Sequence, residues 1–220
     1  MEPYLIYLYN KSNESQYFYL FQEQASFDGA LGGSKVSSSC LGCLYLAHSC
    51  GSQGKFALDS RIFAGAESTM PVPPPKYRSS TTISKTYAFQ EVSLSSTPFK
   101  NLTKLTIDPL ALSEPTEMND ARGTFGIEVP IYNPSQPSKL NCGNAVIFDD
   151  GSIVLSSYVP PSPNQTLQYT PKPIYFIKTG YNELGSEIEY DTSGSAKCDF
   201  SERNSEITVV YQNNGTFEIN

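Results

Sequence analysis

The 220-residue chain predicts an all-β fold. The expected architecture is an antiparallel β-sandwich or flattened barrel of about ten to twelve short strands with little helix. Three observations carry this. Tyrosine (15) and phenylalanine (12) are abundant beside Gly (15) and Pro (16), while Trp is absent, which is strand-and-turn composition. Several segments alternate apolar and polar residues with the period of a strand. Turn-forming clusters separate them, and residues with high helix propensity rarely recur at helical spacing.

The first element is YLIYLYNKSNESQYFYLF, from Tyr4 to Phe21. Ile6, Leu8, Phe18 and Leu20 fall on one face and Tyr7, Tyr9, Tyr17 and Tyr19 on the other. The gap Asn10 to Ser15 is turn chemistry. The stretch therefore predicts a hairpin with a loop of about six residues, Tyr9 and Tyr17 pairing closest to the turn. Gly42 to His48 reads as a strand or a buried turn.

Met70 to Pro75 and Val159 to Pro163 are proline-rich and read as stiff extended connectors. Neither side of the first reads as a complete β-core, so the chain is taken as a single domain, 1–220. Thr82 to Leu94 and Leu102 to Ile107 read as strands, and Asp108 to Asp120 as a loop with one short helical turn. Phe125 to Ile131, Ile174 to Thr179 and Ser186 to Tyr190 are further strands. Two more hairpins are expected, Ala145–Phe148 with Ser152–Leu155 around Asp149-Asp150-Gly151, and Glu206–Tyr211 with Thr216–Ile219 around Asn213-Asn214-Gly215. In both turns glycine accepts a positive φ without steric cost.

A net charge of -7 and a pI near 4.8 argue against nucleic acid as a partner, which needs a basic stripe. The longest basic cluster, Lys76-Tyr77-Arg78, is too small, and anionic membranes are disfavoured for the same reason. No apolar run approaches the ~20 residues that span a bilayer. Glu2 stands where a signal peptide carries basic residues, so the expected compartment is cytoplasmic. Sequons at Asn10, Asn13, Asn101, Asn164 and Asn214 sustain the alternative, a secreted protein whose signal peptide has been removed.

Cys40, Cys43, His48 and Cys50 open like a zinc knuckle, C-x2-C-x4-H, but a single residue separates His48 from Cys50. Such spacing hardly lets both reach one tetrahedral ion, and the filling Leu44-Tyr45-Leu46 is core-like, so no metal is expected. Five cysteines leave at least one unpaired within the chain, which favours a reducing compartment. In an oxidising one, Cys142 and Cys198 are the first candidates to pair. Any hydrolytic triad would have to use the lone His48, and there is no G-x-S-x-G elbow. Glu187 and Glu189, Asp149 and Asp150, and Glu114 and Glu117 are carboxylate pairs. Glu187 and Glu189 fit a glycosidase pair in spacing, but alternation with Ile188 and Tyr190 marks the wet face of an edge strand. Neither G-x-G-x-x-G nor a P-loop occurs, so no nucleotide cofactor is expected.

The tyrosine face remains. Phenol rings pack in cores with their hydroxyls at the margin, and they also stack on sugars or flat organic molecules. Because the aliphatic face is the natural core, Tyr7, Tyr9, Tyr17 and Tyr19 are the candidate ligand-binding residues. The same opening stretch, about 25 residues, resembles the first strands of small, poorly characterised β-sandwich proteins of fungi. The resemblance implies a sandwich fold and transfers no functional residue.

The function expected is binding of a small organic or carbohydrate ligand through a tyrosine-rich face or pocket, in the manner of a lectin. The alternative is a cofactor-free cyclase or isomerase acting on a hydrophobic metabolite, where a shaped pocket positions the reactant and a Tyr or Asn donor polarises a carbonyl. Edge strands also offer a second copy something to pair with, so a homodimer is a further expectation.

Overall fold

A computed structural model describes residues 2–48, 52–72, 82–94, 99–118, 123–136, 138–148, 151–202 and 204–220. Among these there is no helix. The chain runs through β1 (Tyr4–Asn10), β2 (Gln16–Gln22), β3 (Ser26–Asp28), β4 (Ser37–Ser39), β5 (Gly42–Leu46), β6 (Ser52–Leu58) and β7 (Ile62–Val72). Next come β8 (Thr82–Val92), β9 (Leu102–Ile107), β10 (Leu110–Leu112), β11 (Phe125–Glu128), β12 (Lys139–Ile147) and β13 (Ile153–Val159). The last six are β14 (Thr166–Thr170), β15 (Ile174–Thr179), β16 (Glu187–Ile188), β17 (Ala196–Asp199), β18 (Glu206–Tyr211) and β19 (Phe217–Ile219).

These strands form four sheets. The first has the order β19-β18-β1-β6 and the second β17-β15-β2-β5. The third is β16-β4-β13-β12-β7-β8 and the fourth β10-β9-β11-β14-β3. Pairing is antiparallel except for β1 with β18 and β9 with β11. The fold is thus the expected all-β, sandwich-like class, with shorter and more numerous strands than the sequence suggests.

Two cores hold it together. Ile6 and Leu8 of the first sheet meet Phe18, Leu20 and Ile177 of the second, and Val146 and Val154 of the third sheet join them. The second core lies between the third and fourth sheets. There Ala64, Ala66, Leu140 and Val159 face Phe125, Ile127, Leu167 and Tyr169. Each large apolar side chain so buried contributes about 1.5–3 kcal/mol.

The opening stretch corrects the sequence reading. β1 and β2 do not form a hairpin. Tyr9 pairs with Gln53 and Val210, and Tyr17 pairs with Tyr45. The two strands lie in different sheets, linked by an arch over Lys11 to Ser15. Alternation of period two fixes which side chains share a face, but not which strand lies alongside. The arch brings the two aliphatic faces against one another, so each covers its partner. Asn10 fixes the turn: its Nδ2 donates to the carbonyls of Glu14 at 2.9 Å and Leu46 at 3.1 Å, while its Oδ1 accepts from Ser12 N at 3.0 Å.

The other two expected hairpins are present as β12–β13 and β18–β19. β12–β13 contains a bulge: Ser156 has no cross-strand partner between Asn144↔Ser157 and Ala145↔Leu155. The stretch Asp108 to Asp120, read as a loop with one helical turn, supplies β10, which pairs with β9. Met70 to Val72, read as connector, is strand, because β7 runs on beside β8 to the pair Val72↔Thr82. Asp149, Asp150, Cys50 and residues 73–78 lie outside the described residues.

Candidate functional site

β2 displays its alternation outward as well as inward. Phe18 and Leu20 enter the first core, so Tyr17, Tyr19 and Phe21 point to the outer face of the second sheet. Along that face, burial deepens from one end to the other: Tyr17 is 43% exposed, Tyr19 9% and Phe21 0%. At the buried end the rings of Tyr19 and Phe21 stack at 5.7 Å, those of Phe21 and Phe176 stack at 5.4 Å, and Tyr190 meets Phe21 edge-on. Burial raises the Tyr19 phenol pKa, partly countered by the Lys178 ammonium. Lys178 itself is held by Asp191.

At the open end three tyrosines meet. Tyr45, directly across from Tyr17 on β5, brings its ring centroid to 4.9 Å from that of Tyr17. Tyr181, just beyond β15, approaches edge-on at 5.3 Å. The backbone sets this up, since Gly180 N donates to Tyr17 O at 2.8 Å and Gly180 has φ +125°, a conformation that favours glycine. Tyr45 is 57% and Tyr181 66% exposed. Three neighbouring rings left open to solvent form a stacking surface.

The four tyrosines singled out from the sequence therefore do not act together. Tyr17 belongs to this cluster, and Tyr19, on the same face, packs into the neighbouring buried group with Phe21 and Phe176. Tyr7 and Tyr9 are half-buried on the outer face of the first sheet, beside Lys55, Thr208, Gln53 and Val210. Tyr45 and Tyr181 were missed as site residues. The core-like filling Leu44-Tyr45-Leu46 did hold the signal, since alternation puts Tyr45 on the face opposite its neighbours.

The remaining candidates are dispersed. His48 is exposed, and its Nδ1 lies 3.0 Å from Ser15 Oγ. Among the described residues no carboxylate bonds to its ring, so Ser15 and His48 lack the orienting acid of a triad. Burial pushes the Cys40 thiol up to about 11, and its Sγ is directed at the carbonyl oxygens of Gly42 and Asn182. Cys142 sits in the second core and Cys198 in the first, both as free thiols, so the pair named for an oxidising compartment is not present. Glu187 and Glu189 are both exposed, and β16 is an edge strand. Of the sequon residues, Asn10 is 1% and Asn101 0% exposed, which leaves no room for a glycan on either in the folded chain.

A cavity of about 100 Å3 lies where β2, β7, β12 and β15 converge. Tyr4, Tyr175, Asp59, Ser60 and Asn144 are among its walls. Arg61 hydrogen-bonds to Asp59 and holds its carboxyl below the usual range. Gln22 Oε1 and Ser156 Oγ accept from Asn144 Nδ2, while Asn144 Oδ1 and Ser60 Oγ have no protein partner.

No family model, curated protein or solved structure matches the chain. The site has to be read from its own chemistry.

Proposed function

We propose that the protein binds a small carbohydrate or flat organic ligand by stacking it on Tyr17, Tyr45 and Tyr181. The observation that carries this reading is the exposed cluster itself, with ring centroids 4.9 and 5.3 Å apart around Tyr17. An exposed aromatic surface is costly in water and becomes favourable once a ligand covers it. Sugar rings present C–H faces to phenols, and the tyrosine hydroxyls supply orienting hydrogen bonds at the rim. Stacking requires little ordering, because each tyrosine has two rotatable side-chain bonds and the rings of Tyr45 and Tyr181 both pack against that of Tyr17.

The alternative, a cofactor-free cyclase or isomerase, calls for a deep enclosed pocket. Ligand pockets typically measure roughly 300–1,000 Å3. The cavity by Asn144 holds about 100 Å3, too little for a hydrophobic metabolite, and a larger groove of about 500 Å3 on the third sheet is lined mainly by polar and charged side chains such as Lys85, Glu67 and Glu187. This weighs toward binding at a surface.

A glycan array probed with the wild-type chain and with Tyr45→Ala and Tyr181→Ala tests the reading. The expected result is a restricted set of bound sugars, lost in both variants while their melting curves stay near wild type. Equal binding by wild type and both variants would overturn it.

A further inference from the structure

The outer face of the third sheet carries a second, polar groove of about 500 Å3. Cross-strand register builds its floor in rows. Lys85, Thr69 and Lys139 are neighbours on β8, β7 and β12, and Tyr87, Glu67 and Asn141 form the next row. Two residues further on, Tyr158 pairs with Gly143 on one side and Ser37 on the other. Glu187, at the edge, closes the far wall.

An account of donors and acceptors shows what the groove lacks. Its two carboxylates both have internal donors: Glu187 Oε1 takes Ser37 Oγ at 2.7 Å, and Glu67 takes Thr69 Oγ1 at 3.2 Å and Lys85 Nζ at 3.4 Å. Burial and then the Glu187 carboxylate push the Tyr158 phenol up, so it stays neutral; Ser39 and Ser37 hydrogen-bond to it and fix its hydroxyl at the groove wall, where a ligand hydroxyl would join that network. Lys35 and Lys139 both line the groove, and neither makes an ion pair with any described residue. Lys35, Lys85 and Lys139 thus stand against Glu67 and Glu187, and with Lys85 paired to Glu67 the groove keeps an excess of positive charge in a chain whose net charge is -7. The capacity left over is cationic and donating, which suits a ligand rich in acceptors.

We propose that this groove is a second binding site, for a small hydroxylated ligand bearing a carboxylate or phosphate, with Lys35 and Lys139 serving the anion and Asn141 and Tyr158 the hydroxyls. The site shares no residue with the tyrosine cluster and stands or falls apart from it.

Calorimetric titration with glucuronate, glucose 6-phosphate, glucose and inorganic phosphate tests this, with backbone NMR to locate binding. The expected result is that glucuronate or glucose 6-phosphate binds at least ten-fold more tightly than glucose and than inorganic phosphate, shifting the amides of Asn141 and Tyr158. Whichever of the two binds better identifies carboxylate or phosphate as the anion. The double variant Lys35→Gln/Lys139→Gln should lose at least ten-fold, and Asn141→Ala should lose less, while Lys11→Gln, exposed on the β1–β2 arch and outside both sites, binds as wild type. Affinity for glucose equal to that of both anionic sugars, inorganic phosphate binding as tightly as they do, or an unaffected double lysine variant each overturns the proposal.

Discussion

Tyr7 and Tyr9 on β1 and Tyr17 and Tyr19 on β2 come from the same pattern, and the structure treats them differently. All four alternate with aliphatic residues that fill one core. On β1 the outer neighbours are Lys55, Thr208, Gln53 and Val210, and among the described residues neither Tyr7 nor Tyr9 stacks on another ring. On β2 the neighbours include Tyr45 and, beyond β15, Tyr181, and Tyr17 meets both rings, while Tyr19 stacks on Phe21. An aromatic becomes part of a site through what its neighbouring strands place beside it, which local periodicity does not encode.

The sharpest way to break the comparison lies within β2 itself. Phe18, fully buried, and Tyr17, 43% exposed, are adjacent residues on opposite faces. Phe18→Ala should destabilise the fold by about 3–5 kcal/mol, because the arch leaves Ile6 and Leu8 facing a cavity. Tyr17→Ala should cost under about 1 kcal/mol. Urea denaturation measures both, and similar values would contradict the inward and outward assignment.

Next in size is Gly143→Ala. A Cβ there would lie 2.1 Å from the carbonyl oxygen of Ser157, a backbone atom fixed beside the β13 bulge. A loss of about 1–3 kcal/mol is expected from the forced backbone shift. An unchanged melting temperature would mean that the β12–β13 register is wrong.

Smaller effects separate the two tyrosine faces by function. Tyr45→Ala should weaken binding of a stacked ligand about ten-fold, roughly 1.4 kcal/mol. Tyr7→Ala should leave binding unchanged. Equal losses would return Tyr7 to the site.

The smallest effect is at the edge of the aromatic layer. Hydrogen bonding by Lys178, with help from Ser193, holds the Asp191 carboxyl well below the usual Asp value. The unfolded chain therefore takes up this proton more readily than the folded one. Stability from the pair is present above the ordinary Asp pKa of about 3.9 and is lost as pH falls through the lower folded value. Carboxyl NMR titration should place Asp191 below the other aspartates, and Lys178→Met should raise it only part of the way to the ordinary range, because Ser193 still donates to the carboxylate.

Much of the fold was legible, and the misses share a cause. The turns around Gly151 and Gly215 announced their hairpins because glycine at positive φ closes a tight local connection. The Asn10–Ser15 segment carried similar turn residues but makes an arch, since a longer polar loop closes a hairpin or crosses a core equally well. β7 was not read as a strand; its end, Met70 to Val72, was read as connector because of Pro71, and proline is tolerated near a strand end. Of the candidate site, Tyr17 was legible from alternation. Tyr45 and Tyr181 join it through pairings between distant segments, which one sequence does not display.

The most direct measurement is tyrosine-ring NMR during titration with a sugar that binds on the array. The account predicts that ring signals of Tyr17, Tyr45 and Tyr181 shift together with one dissociation constant, while those of Tyr7 and Tyr9 stay still. Shifts at Tyr7 and Tyr9, or none at the three exposed rings under saturating ligand, would contradict it.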